Sequence, residues 1–536
     1  MLLLPNIIFV LIGEDSAVIS FLKRIVFFCY AFALLLFPLI FIKPKWYFGL
    51  SILLLPFALA DLFALFISGT QSTAMHYMAV FSTNFDEAKE LMAGNILLLF
   101  LALTYIIIYV FLFFRLDKKL TLNRLSKYLI AIFSFTMIIG LFVRDYAIAK
   151  KTGQTVESFE TALGFFEVKL DKTFPFGAIN KLGGVLDGLI EKSKFNDNNR
   201  DFSYQAAIEN KSNKTLVLVI GEAARKHNFQ LYGYERPTNP LLSSSKNLLV
   251  YSDFTTNANF TQTSFPQIVT SIGPKQYGKR YNEKGIIAAF NEAGYQTYWI
   301  TNQPYYPNSL YYLYAKNADY YLDVSTTFEM KSYDDKVFPF FEKILSDSHK
   351  KRLIIIHSIG SHYRYNLRYP KAFELFNPVL DGSVSVGGNS AKYKERYVNS
   401  YDNSILYTDY FLSELINRMK ELKEPGLMMY VSDHGENLYD DEKALFLHGS
   451  AEPSKYELEI PFFIWTSDNY DTSQVKKLKA LRAKKLSSEI VFHTLTHLGG
   501  FTTNLHKTEF DLLSDSLTSG NRLFLLGNGQ VISIDK

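Results

Sequence analysis

TLVLVIGE, residues 215–222, is six β-branched or leucine residues that end abruptly on Gly221 and Glu222. A short, unbroken apolar run of this kind fits a strand covered on both faces, as in the middle of a parallel sheet. Similar runs follow at TYWI (297–300), LIIIHS (353–358), LMMYVS (427–432) and IPFFIW (460–465), separated by helical stretches such as 398–422 and 486–498. Strands alternating with helices predict a mostly parallel sheet sandwiched between helical layers over residues 211–536. In such sheets ligands sit just beyond the carboxyl ends of the strands.

That rule sorts the reactive residues. The first run delivers Glu222, the third leads to His357 and His362, and the fourth opens into Asp433, His434 and Glu436, with His448 soon after. Carboxylates and imidazoles without thiolates are the donor set of a zinc-like divalent metal. Gly435, next to His434, is expected to let the backbone turn sharply. Each residue also has a plainer reading: Asp-His-Gly is a common turn, Glu222 can cap the next helix, and His357 ends an apolar strand and suits the core. The joint placement favours a site. SDFTTNANFTQTS (252–264), just before a predicted helix at 262–272, offers six hydroxyls for a nucleophile. A helix N-terminus and a metal would both favour the ionised hydroxyl, but composition does not choose among the six.

Working outward, the first 150 residues differ in kind. Residues 25–42, 91–114 and 128–143 contain no charge, and 46–68 is interrupted only by Asp61. A bilayer core takes about 20 apolar helical residues, so four spans are expected over 1–150. The opening MLLLPNIIFVLIGEDS stays open between an interfacial segment, a fifth span and a signal-like start. Arg115, Lys118, Lys119, Arg124 and Lys127 between the last two spans mark the cytoplasmic side, which puts the chain beyond residue 148 across the membrane. Lys23 and Arg24 then lie on the disfavoured side unless the N-terminus also crosses. Asp61 is expected at a helix end near water. Residues 151–210 read as an amphipathic bridging segment, of the kind that lies on a membrane surface or on the next domain, or as an ordinary linker.

Composition excludes some classes. With 56 basic and 52 acidic residues there is no field to hold nucleic acid. At 48% hydrophobic and 20% charged, the chain is not disordered. Its single cysteine, Cys29, excludes a disulfide framework and a four-cysteine zinc site.

LVLVIGEAARKHNFQLYGYERPTNPLL (216–242) resembles the GE-x-x-R…GY-x-R-x-T-x-P signature of the membrane phosphoethanolamine transferases, relatives of the alkaline phosphatases and sulfatases and of the mobile colistin-resistance enzymes. HSIGSHYRYNLRYP (357–370), YDNSILYTD (401–409) and VSDHGENLYDDEKALFLHG (431–449) resemble the same family in the same order, and STNFDEAKEL (82–91) is similar to its membrane loop. The resemblance implies a transmembrane helical bundle followed by a sulfatase-like α/β/α sandwich in the periplasm, anchored in the inner membrane. It further implies a zinc site of Glu222, Asp433, His434 and the nucleophile Thr261. His362 and His448 would hold a second zinc or the substrate phosphate and act as general acid, while Thr83 and Glu87 would face the lipid donor. The implied reaction moves phosphoethanolamine from phosphatidylethanolamine to a surface glycolipid such as lipid A, Kdo or heptose, on a monomeric enzyme. Alternatives are a phosphoglycerol transferase, a phosphodiesterase or sulfatase-like hydrolase of the same fold, and a scaffold with a structural metal. Three departures stand out: Asn257–Ala258 where lipid A members have Cys-Gly, WITNQ (299–303) where they have a phosphate-binding lysine, and Ala79 ahead of Thr83. The second shifts the donor-phosphate contacts to Asn302 and Gln303. The missing cysteines leave the domain without the disulfides of its relatives.

Overall fold

The computed structural model describes residues 2–12, 21–68, 72, 77, 96–151, 174–210, 212–303, 310–325, 333–349, 351–380 and 390–535. The chain divides into two compact units, one built mainly of Met1–Phe81 and Asn95–Gly188, the other mainly of Leu189–Ser385 and Asn389–Lys536.

Among the described residues the first unit is helical: α1 (Leu4–Ile12), α2 (Phe21–Leu36), α3 (Pro44–Leu50), α4 (Leu55–Ser68), α5 (Ile96–Arg115), α6 (Arg124–Lys151) and the start of α7 (Phe176–Ser193). One 22-residue stretch, Pro44–Leu65, is long and apolar enough to cross a bilayer, and Arg24–Ile40 and Leu99–Arg115 are shorter apolar helices. α3 and α4 are joined by a tight 3-10 turn, Ser51–Leu54. There the Ser51 hydroxyl donates to the Tyr47 carbonyl four residues back at 2.7 Å, and Pro56 removes a backbone donor. Leu97, Phe100, Leu103, Ile107, Phe111 and Phe114 of α5 are all exposed. An apolar stripe of that length is not left bare to water.

Asp61 departs from expectation. It lies inside α4 and is buried, accepting from the hydroxyls of Ser72 and, at 3.2 Å, Tyr77. Lys181 in turn reaches Ser72 at 3.5 Å. A buried carboxylate must be hydrogen-bonded, and these partners satisfy it away from any helix end.

The second unit is built on seven strands: β1 (Thr215–Gly221), β2 (Leu248–Val250), β3 (Gln296–Thr301), β4 (Tyr320–Asp323), β5 (Arg352–His357), β6 (Gly426–Ser432) and β7 (Phe462–Thr466). They lie in the order β2–β7–β6–β1–β5–β3–β4. The pairings from β6 to β4 are parallel, whereas β7 runs antiparallel to both neighbours. Alternation divides the core: Leu216, Leu218 and Ile220 face one layer and Val217 and Val219 the other. The first layer includes α8 (Thr261–Val269) and α11 (Ile490–Leu498), the second α9 (Phe338–Ser346) and α10 (Lys394–Met419). This is the α/β/α sandwich that the strand pattern predicts.

Candidate metal centre

Register puts the chemistry in one row. Gly221 pairs with Ser432, Ile220 with His357, and His357 with Thr301, so β1, β6, β5 and β3 end level. The next residues on β1 and β6 are Glu222 and Asp433, and one step on from Asp433 is His434. All three are buried. One ligand atom from each lies within 4.8 Å of the others.

Two glycines make this approach possible. Gly360 has a φ of +50°, and a Cβ there would fall 2.8 Å from the Glu222 carbonyl oxygen. Gly435 does not adopt a left-handed turn. It is needed because a Cβ would lie 2.0 Å from the Tyr456 carbonyl oxygen, while its own N–H donates to Glu457 at 2.9 Å. Close packing, not the sharp turn expected from the sequence, is the reason for glycine there.

The six hydroxyls separate cleanly. Thr261 is the first residue of α8, and its Oγ1 lies 3.2 Å from His434 Nε2 and 3.4 and 3.5 Å from the Glu222 oxygens. Thr256 instead donates to the Asp433 carbonyl at 2.6 Å, Ser264 to Phe260 and Ser252 to Arg482, while Thr255 and Thr263 hydroxyls are buried without a partner. Asn259 pins the approach to α8 through Ser450 and Glu457. The N-terminal end of α8 thus directs its partial positive charge at the threonine.

Asp433 Oδ1 accepts from the backbone N–H groups of Ala223 (3.0 Å) and His434 (2.7 Å), but Oδ2 is buried with no hydrogen-bond partner. His434 Nδ1, 2.9 Å from the Gly435 carbonyl, is the protonated nitrogen, so Nε2 turns a lone pair towards Thr261 and the two carboxylates. Burial holds His434 down at about 4, which keeps it neutral. An orphaned carboxylate oxygen, a second carboxylate, a neutral imidazole and a hydroxyl converging on one point fit a divalent metal.

Beside it, His448 Nδ1 lies 3.0 Å from Glu436 Oε2, and the His434 and His448 rings are 3.9 Å apart. Burial would lower His448, but the Glu436 carboxylate outweighs it and holds the imidazole above its ordinary value. His362 is pushed well below its ordinary value by burial and then by Arg368, His448 and His434. Gln303 donates to Glu222 Oε2 at 3.3 Å and to the Ser358 carbonyl at 2.9 Å. Asn302 is buried and donates to Asp334 at 2.9 Å. His357 is fully buried against Phe265 and Tyr311. Thr83 and Glu87 lie outside the described residues.

Glu436, which the sequence already groups with Asp433 and His434, orients His448. One supporting residue, Arg225, is not assigned a role from the sequence. Arg225 is fully buried and ties the first loop to the metal loop, donating to the Glu436 carbonyl at 3.0 Å and to Asp440 at 2.6 Å. Its signal is the GE-x-x-R spacing.

Residues 214–501 match the sulfatase family, and the chain belongs to it. The named relatives within reach are phosphoethanolamine transferases. EptC of Escherichia coli K12 is 28% identical over 459 residues, spanning 83% of this chain and 78% of the relative. The Kdo(2)-lipid A phosphoethanolamine 7''-transferase of the same strain is 29% identical over 283 residues, spanning 51% and 47%. The C-terminal periplasmic domain of E. coli EptC, in a crystal structure complexed with Zn, superposes with a TM-score of 0.55 at 27% identity, covering 62% of this chain and 95% of that one. The integral membrane lipooligosaccharide phosphoethanolamine transferase A of Neisseria meningitidis gives a TM-score of 0.72 at 20% identity over 96% and 97%, which is a likeness of fold.

Proposed function

We propose that this protein is an inner-membrane phosphoethanolamine transferase that uses zinc to move phosphoethanolamine from phosphatidylethanolamine to a lipopolysaccharide-type glycolipid, through a phosphothreonine intermediate on Thr261. The observation that carries the reading is the Thr261 hydroxyl 3.2 Å from His434 and 3.4 Å from Glu222, at the start of a helix.

Glu222, Asp433, His434 and Thr261 would hold the zinc ion. When bound, such an ion polarises a phosphoryl oxygen and lowers the pKa of a hydroxyl beside it. The chain's own residues do the rest. α8 fixes Thr261 Oγ1 for attack on phosphorus. Oγ1, its proton released to solvent, forms a bond to phosphorus as the bond to the diacylglycerol oxygen breaks, and it is regenerated in the same ionised form at the end. His448, whose protonated form the Glu436 carboxylate favours, delivers a proton to that leaving oxygen. In the second half, an acceptor oxygen attacks the same phosphorus, its proton returns to His448, and Thr261 leaves. Gln303 orients Glu222, and Asn302 fixes the adjacent strand end through Asp334. His362 and His448 flank the place where a second ion or the donor phosphate would sit.

The exposed stripe on α5 supports a helical unit in the bilayer. A donor with two acyl chains leaves lipid at a cost of about 0.8 kcal/mol per methylene, so the enzyme must come to the donor. Residues 1–150 then form the membrane unit, 151–210 the bridge and 211–536 the periplasmic catalytic domain.

The test is intact-mass measurement of the full chain after incubation with phosphatidylethanolamine and zinc. A phosphoethanolamine adduct is expected on the wild type and not on Thr261→Ala, which keeps its fold and loses transfer by at least ~10³-fold. An adduct that persists in Thr261→Ala sinks the nucleophile assignment. A glycerophosphate adduct from phosphatidylglycerol in its place would favour the phosphoglycerol alternative.

A further inference from the structure

A second convergence of metal-type donors lies on α11 and the chain that follows it, and shares no residue with the catalytic centre. His497 is in the last turn of α11, His506 in the loop beyond, and Asp511 just past a single 3-10 turn, Thr508–Phe510. Asp511 Oδ2 lies 2.5 Å from His497 Nδ1 and 3.2 Å from His506 Nε2. One ligand atom from each of the three lies within 4.8 Å of the others. Asp511 is essentially buried and the His506 side chain is only 9% exposed, while that of His497 is 30% exposed.

The plain reading is a hydrogen-bonded histidine–aspartate–histidine tie. Four observations go beyond it. Both imidazoles aim at one carboxylate oxygen, although the other, Oδ1, is already satisfied by the Leu513 N–H at 2.9 Å. A tie needs one imidazole, whereas a metal needs several donors turned to one point. No other hydrogen bond competes for the His506 ring, which packs edge-on against His493 and whose Nδ1 is buried without a hydrogen bond. The His497 side chain is 30% exposed, which leaves an entry path for an ion. Lys507, the nearest cation in sequence, is turned away to the Ser271 carbonyl and Gln276.

We propose that His497, His506 and Asp511 form a structural divalent-metal site suited to zinc, which clamps the end of α11 to the C-terminal segment. Two imidazoles and a carboxylate are a zinc donor set, whereas calcium and magnesium prefer all-oxygen shells. The chain has one cysteine, Cys29, so no disulfide can close this loop, and a metal cross-link supplies an equivalent restraint.

The test uses the full chain in detergent, equilibrated with a zinc buffer, desalted and analysed for bound zinc by mass spectrometry. Glutamine at 497 and 506 retains an N–H for Asp511 but not the imidazole ligand, so His497→Gln/His506→Gln keeps the hydrogen-bonded tie and should remain folded. It is expected to hold one zinc per chain fewer than the wild type, with transfer activity retained. In a Glu222→Gln/Asp433→Asn background, the same two substitutions should again remove one zinc and reduce the rise in melting temperature on adding zinc. Cobalt alone should give a visible absorption band in that background that the glutamines remove. Equal zinc content with and without the glutamines, in either background, overturns the proposal. So does a zinc-dependent melting shift in that background that the glutamines leave undiminished. Because the readout is metal content in a chain whose catalytic ligands are replaced, failure here leaves the transferase reading untouched.

Discussion

The two ends of the central sheet both bury charge, and they treat it in opposite ways. At the amino end, Arg352 is fully buried and every contact is met: Glu424 at 2.5 Å, the Thr215 hydroxyl at 2.9 Å, and the carbonyls of Ile344 and Leu345. At the carboxyl end, Asp433 and Glu222 face each other across His434, and Asp433 Oδ2 accepts nothing. Strands β1 and β6 link the two sets: Thr215 opens β1 and Glu424 lies just before β6, while Glu222 and Asp433 lie just after them. A satisfied ion pair is architecture, whereas an unsatisfied convergence of like charge is a site held ready for something positive.

That contrast can be broken from either end. The largest stability effect is expected at the amino end: Glu424→Ala strands a buried guanidinium and should cost about 3–5 kcal/mol in urea unfolding of the catalytic domain. A cost below about 1 kcal/mol would mean that the pair is not structural.

Glu489 is an intermediate case, a buried carboxylate pushed up to about 7 by burial. The folded state holds this proton more tightly than the unfolded chain, so stability falls as pH rises from the ordinary glutamate value towards 7. The full penalty, up to about 3 kcal/mol, applies above that. Glu489→Gln should therefore stabilise the protein at pH 8 and have little effect at pH 4.5. Equal effects at both would exclude titration as the cause.

The smallest stability effect belongs to the catalytic end. Asp433→Asn keeps an oxygen for the Ala223 and His434 N–H groups and removes only the orphaned charge. Metal-free melting should stay within about 1 kcal/mol of wild type or rise, while catalytic zinc and transfer are lost. Destabilisation as large as that of Glu424→Ala would erase the distinction between the two ends.

Much of this was legible in the sequence because strand ends and chemistry coincide. TLVLVI stops at Gly221 and LMMYVS at Ser432, so Glu222 and Asp433 had to share an edge once the sheet was parallel. The choice of Thr261 among six hydroxyls was not readable from composition. It came from the family's motif, and the geometry separates the six by their hydrogen bonds, which no spacing encodes. Gly435 was assigned to glycine for the wrong reason, because its neighbour Tyr456 lies twenty-one residues further along the chain. Asp61 was misplaced for a similar reason, since its partners Ser72 and Tyr77 come from a later segment. The strand IPFFIW was found, but its antiparallel direction depends on the path of the chain between strands, which local pattern does not report.

Thr261 opens a helix whose Phe265, Ile268 and Val269 are locked in the core. A side chain anchored in that way cannot swing a bound group to a second station. In the proposed reaction, donor and acceptor therefore come in turn to the same oxygen, each incoming oxygen arriving opposite the group it displaces. Two such inversions cancel, so a phosphorus made chiral with oxygen isotopes should emerge from the complete reaction with its original handedness.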